Sequence, residues 1–298
     1  MELENIIMKN WGFKKAEIVN KYKVSGGRVV CKVSTGGEDV IVKGIPIETK
    51  EEIVIANVKA HQYLGNIKKL APGLIYLSDG RAYLQDEPYY YYVMEFIEGR
   101  QLQEIEEDEL ILGNATAKLH ELTDYNGYCS FNSEDNKKIF RGWFSERSFK
   151  AEYDVIIDGL PNFMEYKQCF IHTDIGPHNT ILNNEERVIF IDLDDSGIGS
   201  KYIDLGWPFI MQFVDYNRET HEMKYKFSLA QAFLKGYYGE KSISKEEIDM
   251  IWYGAIYMHI ANMQCYGPEA VDSLWKILKF GIKQKEKLYQ VYTESLVY

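Results

Sequence analysis

The 298-residue sequence predicts an α+β fold in two lobes. A small antiparallel β-rich lobe covers residues 1–96, and a larger, mainly helical lobe covers 97–298. Three observations predict it. Short β-branched runs separated by glycine turns fill the first hundred residues. Helical periodicity dominates after Gly99. Between Phe170 and Phe190 two short apolar runs flank an Asn-containing turn and interrupt the helical part with strands. The chain is long enough for two lobes with proper cores. Its 46% hydrophobic and 27% charged residues are the balance of a globular protein, not a disordered one.

Taken in order, the turn Ser25-Gly26-Gly27 precedes "GGRVVCKVS", and the turn "TGG" joins that strand to "EDVIVKGI". From Thr49 to Leu64 the apolar residues Ile53, Ala56, Ala60 and Leu64 recur at helical spacing. "LAPGLIYLSDGRAYL" and "PYYYYVMEFIEG" read as strands. The tyrosines Tyr89 to Tyr92 fit a strand with one buried and one exposed face better than a stacking platform. Residues 104–122, 142–168, 218–237 and 244–292 carry helical patterns. "CFIH" and "TILNNEERVIFIDL" are the strands of the insert. This layout is that of a kinase-like fold, in which a cleft between the lobes is the natural ligand site.

The net charge of −11 disfavours a nucleic-acid partner, because an acidic surface repels phosphate backbones. It favours a cationic small molecule instead. Cys31, Cys129, Cys169 and Cys265 are scattered with no CxxC pair, which argues against structural zinc and a disulfide framework. "MELENIIMKNWGF" is not a signal peptide. No apolar run approaches the roughly 20 residues that span a bilayer, so no membrane partner is expected and the chain reads as cytosolic.

The chemistry concentrates in "IHTDIGPHNTIL", residues 171–182. His172, Asp174 and His178 could be metal ligands of a hydrolase, but the remaining histidines stand singly in helical surroundings and offer no further ligand set. In the catalytic loop of kinases an aspartate lies five residues before an asparagine, with a histidine two before the aspartate. His172, Asp174 and Asn179 reproduce that spacing. A second aspartate should follow on the next strand to share a metal with the asparagine, and "VIFIDLDD" supplies Asp192. Mg²⁺ suits such hard oxygen ligands. Asp194 shares the side parity of Asp192 and stays open as a further ligand, whereas Asp195 points to the opposite face. No GxxxxGK[ST] occurs, which excludes a P-loop.

With these motifs the sequence resembles the aminoglycoside phosphotransferase and choline kinase-like family. "HTDIGPHNTIL" is similar to its catalytic loop, and "IDLDDSGIGSKYIDLGW" to its metal-binding segment. "ATAKLHEL" looks like its helix ending in Leu-His, "VMEFIEG" like its hinge, and "VIVKG" like its lysine strand. The resemblance covers roughly residues 22–210. It implies that Asp174 is the base or orienter of the acceptor hydroxyl and that Asn179 and Asp192 hold Mg²⁺. It also implies that Lys43 meets the α- and β-phosphates of ATP and that Ser25, Gly26, Gly27 and Arg28 cover the phosphates. Backbone groups of Glu95 and Ile97 would bind the purine edge, so the Glu95 side chain is not required and GTP is an alternative donor. His172 and Asp204 would support the loop. Thr173 stands where the family usually has glycine. Asn57 stands where a helix glutamate normally pairs the lysine, with Glu52 more than one turn earlier.

Only eleven residues separate Asp192 from Asp204, with no APE-like motif after them, so a docked polypeptide is disfavoured. The expectation is an ATP-dependent phosphotransferase acting on the hydroxyl of a small, cationic acceptor. An aminoglycoside or amino-sugar comes first, and choline-, homoserine- or sugar-amine-like metabolites are alternatives. A nucleotide-binding pseudokinase or regulatory module, supported by Asn57, is the reading from a different class.

Overall fold

The computed structural model describes residues 3–127 and 133–295, so Cys129 lies outside the described residues. In chain order the first elements are α1 (Leu3–Trp11), β1 (Glu17–Tyr22), β2 (Val29–Ser34), β3 (Asp39–Pro46) and α2 (Glu51–Ala60). The helix of α2 continues as a π-helical turn, His61–Ile67. There follow β4 (Leu74–Ile75), β5 (Leu84–Asp86), β6 (Tyr89–Glu95), β7 (Gly99–Gln101) and α3 (Glu106–Leu119). Next come α4 (Ser133–Arg141), α5 (Lys150–Gly159), β8 (Gln168–Ile171), β9 (Thr180–Asn183), β10 (Val188–Phe190) and β11 (Gly197–Ser200). The chain then runs through α6 (Lys201–Met211), β12 (Val214–Tyr216) and β13 (Met223–Tyr225). It closes with α7 (Phe227–Tyr238), α8 (Lys245–Met263), α9 (Val271–Ile282) and α10 (Lys285–Ser295).

Contacts gather these elements into two compact units: Met1–Arg100 with Thr180–Asp194, and Gln101–Asn179 with Asp195–Tyr298. The class is the expected one, α+β with an antiparallel sheet and a larger helical part. In the first unit the strands run β1-β2-β3-β6-β4, with β5 also on β6, and every pairing is antiparallel. The β9–β10 hairpin is tied to this unit by the Phe190 N–H, which donates to the Leu70 carbonyl at 2.8 Å.

The tyrosine strand differs from the sequence reading. Tyr90, Tyr91 and Tyr92 are all buried, because both faces of β6 are covered. Tyr91 and Val93 pack with Ile6, Ile7 and Trp11 of α1, while Tyr90, Tyr92 and Met94 pack with Val54 and Val58 of α2. The sequence reading had no helix at α1, and without it one face of the strand would be bare. Each fully buried aromatic of this kind contributes roughly 1.5–3 kcal/mol. The expected strand over residues 70–84 is reduced to β4 and the start of β5. Pro72-Gly73 and the turn at Gly80, where φ is +87°, break it.

In the second unit α3 packs on α7 and α6 on α8, backbone against backbone. A Cβ at Gly113 or Gly236 would collide with the facing helix, as would one at Gly206 or Gly254. Three helical expectations are corrected. Residues 142–149 form turns, and only α5 within 142–168 is an α-helix. Residues 218–226 hold β13, since the Asn217 side chain accepts from the Glu219 and Thr220 N–H groups and closes a β12–β13 hairpin. Missing from the expected ranges in this unit were α4 and, more tellingly, α6. Every residue from Tyr202 to Ile210 is buried, so it carries no polar stripe from which a period could be read. Among the described residues no helix is long and apolar enough to cross a membrane. Cys31, Cys169 and Cys265 are free thiols.

Candidate active site

Within the first unit the candidate residues converge on a buried cation. Lys43 lies on β3 opposite Tyr92 of β6, and its side chain is only 7% exposed. A buried ammonium needs carboxylate partners. Lys43 Nζ donates to Asp192 Oδ1 at 2.9 Å and to Asp194 Oδ1. Burial alone would pull its pKa down; Tyr92, Asp194 and Asp192 together push it well above the usual lysine range. Asp192 has a half-exposed side chain and a backbone in the left-handed region, φ +60°, which an aspartate tolerates better than most residues. Its strained backbone is of the kind that collects at functional sites.

Asp194, left open in the sequence, is the hub of this cluster. Its side chain is 6% exposed. Besides Lys43 it accepts from Asn57 Nδ2 of α2 at 3.2 Å, and its Oδ2 lies 2.8 Å from Arg28 Nη1. Asn57 therefore bonds the carboxylate and does not orient the ammonium. Glu52 is exposed on α2 and is not among the partners of Lys43. Arg28 follows the turn Ser25-Gly26-Gly27, in which both glycines have positive φ, +69° and +68°, a conformation that disfavours any other residue.

Glu95 and Ile97 line an open cleft of about 490 Å³ with Gly37, Glu38, Asp39, Phe96 and Glu98. The Glu95 side chain has work of its own: Oε2 accepts from the Gly73 N–H at 2.9 Å, and the Glu95 N–H donates to the Gly73 carbonyl at 2.9 Å. The side chain thus has a structural bond, to Gly73, separate from any contact with a purine. Val40 pairs with Glu95 and Lys43 with Tyr92, so three steps along β3 separate cleft and ammonium, roughly 10 Å.

Within the second unit the loop after β8 is held from below by Asp204 of α6, which is fully buried. Its Oδ2 accepts from the His172 N–H at 2.7 Å, and its Oδ1 from the Thr173 N–H at 2.5 Å. His120 Nε2, at the end of α3, lies 3.1 Å from Asp204 Oδ2, and its Nδ1 lies 3.0 Å from the Tyr237 hydroxyl. Thr173 has φ +76°, which gives the physical reason for glycine at that position in the motif. Its hydroxyl donates to the Asp195 carbonyl at 3.3 Å. His172 Nδ1 accepts from the Asp174 N–H at 3.4 Å.

Asp174 is partly exposed and is clasped by Asn179, whose Nδ2 donates to Asp174 Oδ2 at 2.7 Å and to its carbonyl at 3.1 Å. Both bonds use the amide NH₂, so Oδ1 is not spent on Asp174. His178 stands beside this carboxylate. Its Nε2 is 3.4 Å from Asp174 Oδ1, and its ring lies 5.4 Å from the Trp207 ring. Gly176 makes the room, since a Cβ there would meet the His178 ring at 2.6 Å. Among the described residues no three His, Cys, Asp or Glu side chains gather as a group that could hold a metal, His172, Asp174 and His178 included. Each unit carries an oxygen donor of the hard kind Mg²⁺ takes: the accessible carboxylate of Asp192 in the first and the Oδ1 of Asn179 in the second.

The sequence model of the APH phosphotransferase enzyme family matches residues 26–232. No curated protein gives a sequence match. Among solved structures, the chain is similar to spectinomycin phosphotransferase APH(9)-Ia in complex with ADP and spectinomycin. The identity is 15% and the TM-score 0.55, covering 98% of this chain and 93% of that one. A microcompartment-associated aminopropanol kinase matches with 15% identity and a TM-score of 0.60, over 94% and 93% of the two chains. Choline kinase LicA from Streptococcus pneumoniae matches with 17% identity and a TM-score of 0.56, over 94% of each. At such identities the likeness establishes the kinase-like fold.

Proposed function

Since the chain belongs to the APH phosphotransferase enzyme family, we propose that it transfers the γ-phosphoryl group of ATP to a hydroxyl of a small molecule. The observation that carries this reading is the Asn179 clasp on Asp174, 2.7 Å from amide to carboxylate. It aims one carboxylate oxygen and spares the amide oxygen for a metal ion.

In this reading the acceptor hydroxyl donates its proton to Asp174 as its oxygen bonds to the γ-phosphorus. The bond from that phosphorus to the bridging β–γ oxygen breaks, and ADP leaves. Lys43 binds the α- and β-phosphates, and Arg28 with Ser25, Gly26 and Gly27 covers them. Glu95 and Ile97 take the purine edge in the cleft, where carboxylates suit a neutral base and not a phosphate. The roughly 10 Å from cleft to Lys43 along β3 supports placing base and phosphates at those two ends. Asp192 and Asn179 would hold Mg²⁺, which neutralises phosphate charge when bound. Positioning and electrostatics carry the rate.

Support for the acceptor class comes from the charge of −11 and from the proteins of similar fold, which include a spectinomycin phosphotransferase, an aminopropanol kinase and a choline kinase. A cationic amino-alcohol or amino-sugar heads the panel. The pseudokinase alternative leaned on Asn57, and the two carboxylates on Lys43 remove that support. The test is ATP consumption over aminoglycosides, choline, aminopropanol, homoserine and amino-sugars, with calorimetry of Mg²⁺-ATP. Asp192→Ala should lose nucleotide affinity and turnover together. Asp174→Ala should keep affinity and lose roughly 10²- to 10⁴-fold in turnover. Loss of nucleotide binding in Asp174→Ala would sink the assignment.

A further inference from the structure

Resting on the function proposed above, we infer that Asp194 is a positioning residue that does the work of the missing helix carboxylate, holding Lys43 in place for the phosphates. Three observations of the first unit carry this. Lys43 Nζ has two carboxylate partners, Asp192 and Asp194, and only Asp194 is nearly buried. Asp192 is half-exposed and is the group assigned to the metal, so its carboxylate would be shared between the ammonium and a bound ion. Asp194 then remains as the fixed anion beside Lys43.

Its own position is set from two sides. The Asn57 amide of α2 reaches it at 3.2 Å, and Arg28, next to the glycine turn, reaches it at 2.8 Å. An asparagine at position 57 cannot anchor an ammonium by charge, but it is a suitable neutral donor to a carboxylate. The anion has moved from the helix to the segment after β10, and the helix has kept a donor for it. Asp194 also holds Arg28, so one carboxylate orders both cations expected to meet phosphate. A second cation on Asp194 has a consequence. The carboxylate partly cancels the charge that attracts a nucleotide, so its value lies in orientation and not in ground-state attraction.

That sign gives the test. Asp194→Asn removes an anion from beside Lys43 and Arg28. Affinity for ADP, measured by calorimetry in EDTA and again with Mg²⁺, should stay the same or tighten. Turnover of ATP with the best acceptor of the panel should fall about 10- to 100-fold, the scale of a lost charge-assisted bond. The double variant Asn57→Glu/Asp194→Asn returns a carboxylate to α2 and should recover at least about tenfold of the loss. Melting temperature checks that each variant is folded. A metal-ligand role would instead weaken ADP only when Mg²⁺ is present, and that outcome overturns the inference. So does a folded double variant that recovers no turnover. A wild type that binds ADP but phosphorylates nothing refutes the proposed function alone. The EDTA arm then still decides: weaker ADP binding in Asp194→Asn overturns the role given to Asp194, and equal or tighter binding supports it.

Discussion

Asp194 in the first unit and Asp204 in the second are both buried carboxylates, and their partners differ in kind. Asp194 meets side chains: Lys43, Arg28 and Asn57. Asp204 meets backbone: the N–H groups of His172 and Thr173, with only the His120 ring added. Side-chain cations can exchange one anion for another, a carboxylate for a phosphate, by rotating. Backbone N–H groups cannot leave without moving the chain. The first arrangement suits a site that must accept and release charged ligands, and the second suits a loop that must not move.

The sharpest way to break this comparison is to remove each carboxylate in turn. Asp204→Ala strands two buried N–H groups and a buried histidine. At about 1–3 kcal/mol for each unsatisfied group, it should cost at least about 3 kcal/mol in urea unfolding. Asp194→Asn, which keeps an acceptor for Asn57 and leaves Asp192 on Lys43, should cost far less. Equal losses would show that the two carboxylates do the same structural work.

Acid provides a second test, because each unit also buries an uncharged histidine. Burial lowers His61 in the first unit to about 4, and burial lowers His259 in the second to about 4, both below the ordinary 6.5. As pH falls below 6.5 the unfolded chain takes up these protons before the folded one does. Stability is therefore lost between pH 6.5 and 4, by about 2 kcal/mol per histidine at pH 5. His259→Gln, which still has a donor for the Leu274 carbonyl, should flatten the part of the pH slope that belongs to the second unit. An unchanged slope would exclude His259 as its source.

The smallest expected effect comes from a carboxyl with neither kind of partner set. Glu109 of α3 is buried, accepts from Gln212 Nε2, and has no partner for Oε2 among the described residues. Burial pushes its pKa up to about 8, above the ordinary 4.5. Between those values the folded chain holds a proton that the unfolded chain releases, so stability falls as pH rises from 4.5 to 8. Glu109→Gln should raise stability by about 1–3 kcal/mol at pH 7.5 and by almost nothing near pH 4.5. A destabilised variant at both pH values would show that the charged carboxylate is paired after all.

What the amino-acid order determined by itself was local. The five-residue step from Asp174 to Asn179 spans one short loop, and a loop that short brings the two side chains to hydrogen-bonding distance with little help from the rest of the fold. The glycine turn before Arg28 and the β9–β10 hairpin were legible for the same reason: turn chemistry is carried by adjacent residues. The two buried faces of Tyr90 to Tyr92 were not legible, because alternation along a strand says nothing about a helix eighty residues earlier that covers the second face. Nor was the choice of Asp194 over Asn57 or Glu52 as the fixed partner of Lys43. Parity left Asp194 open, but Asp192 and Asp194 lie beyond the end of β10, where strand alternation no longer sets direction. Only the tertiary structure decided it, since a buried ammonium settles on whichever carboxylate the packing of distant segments brings within reach, and desolvation makes that pairing obligatory.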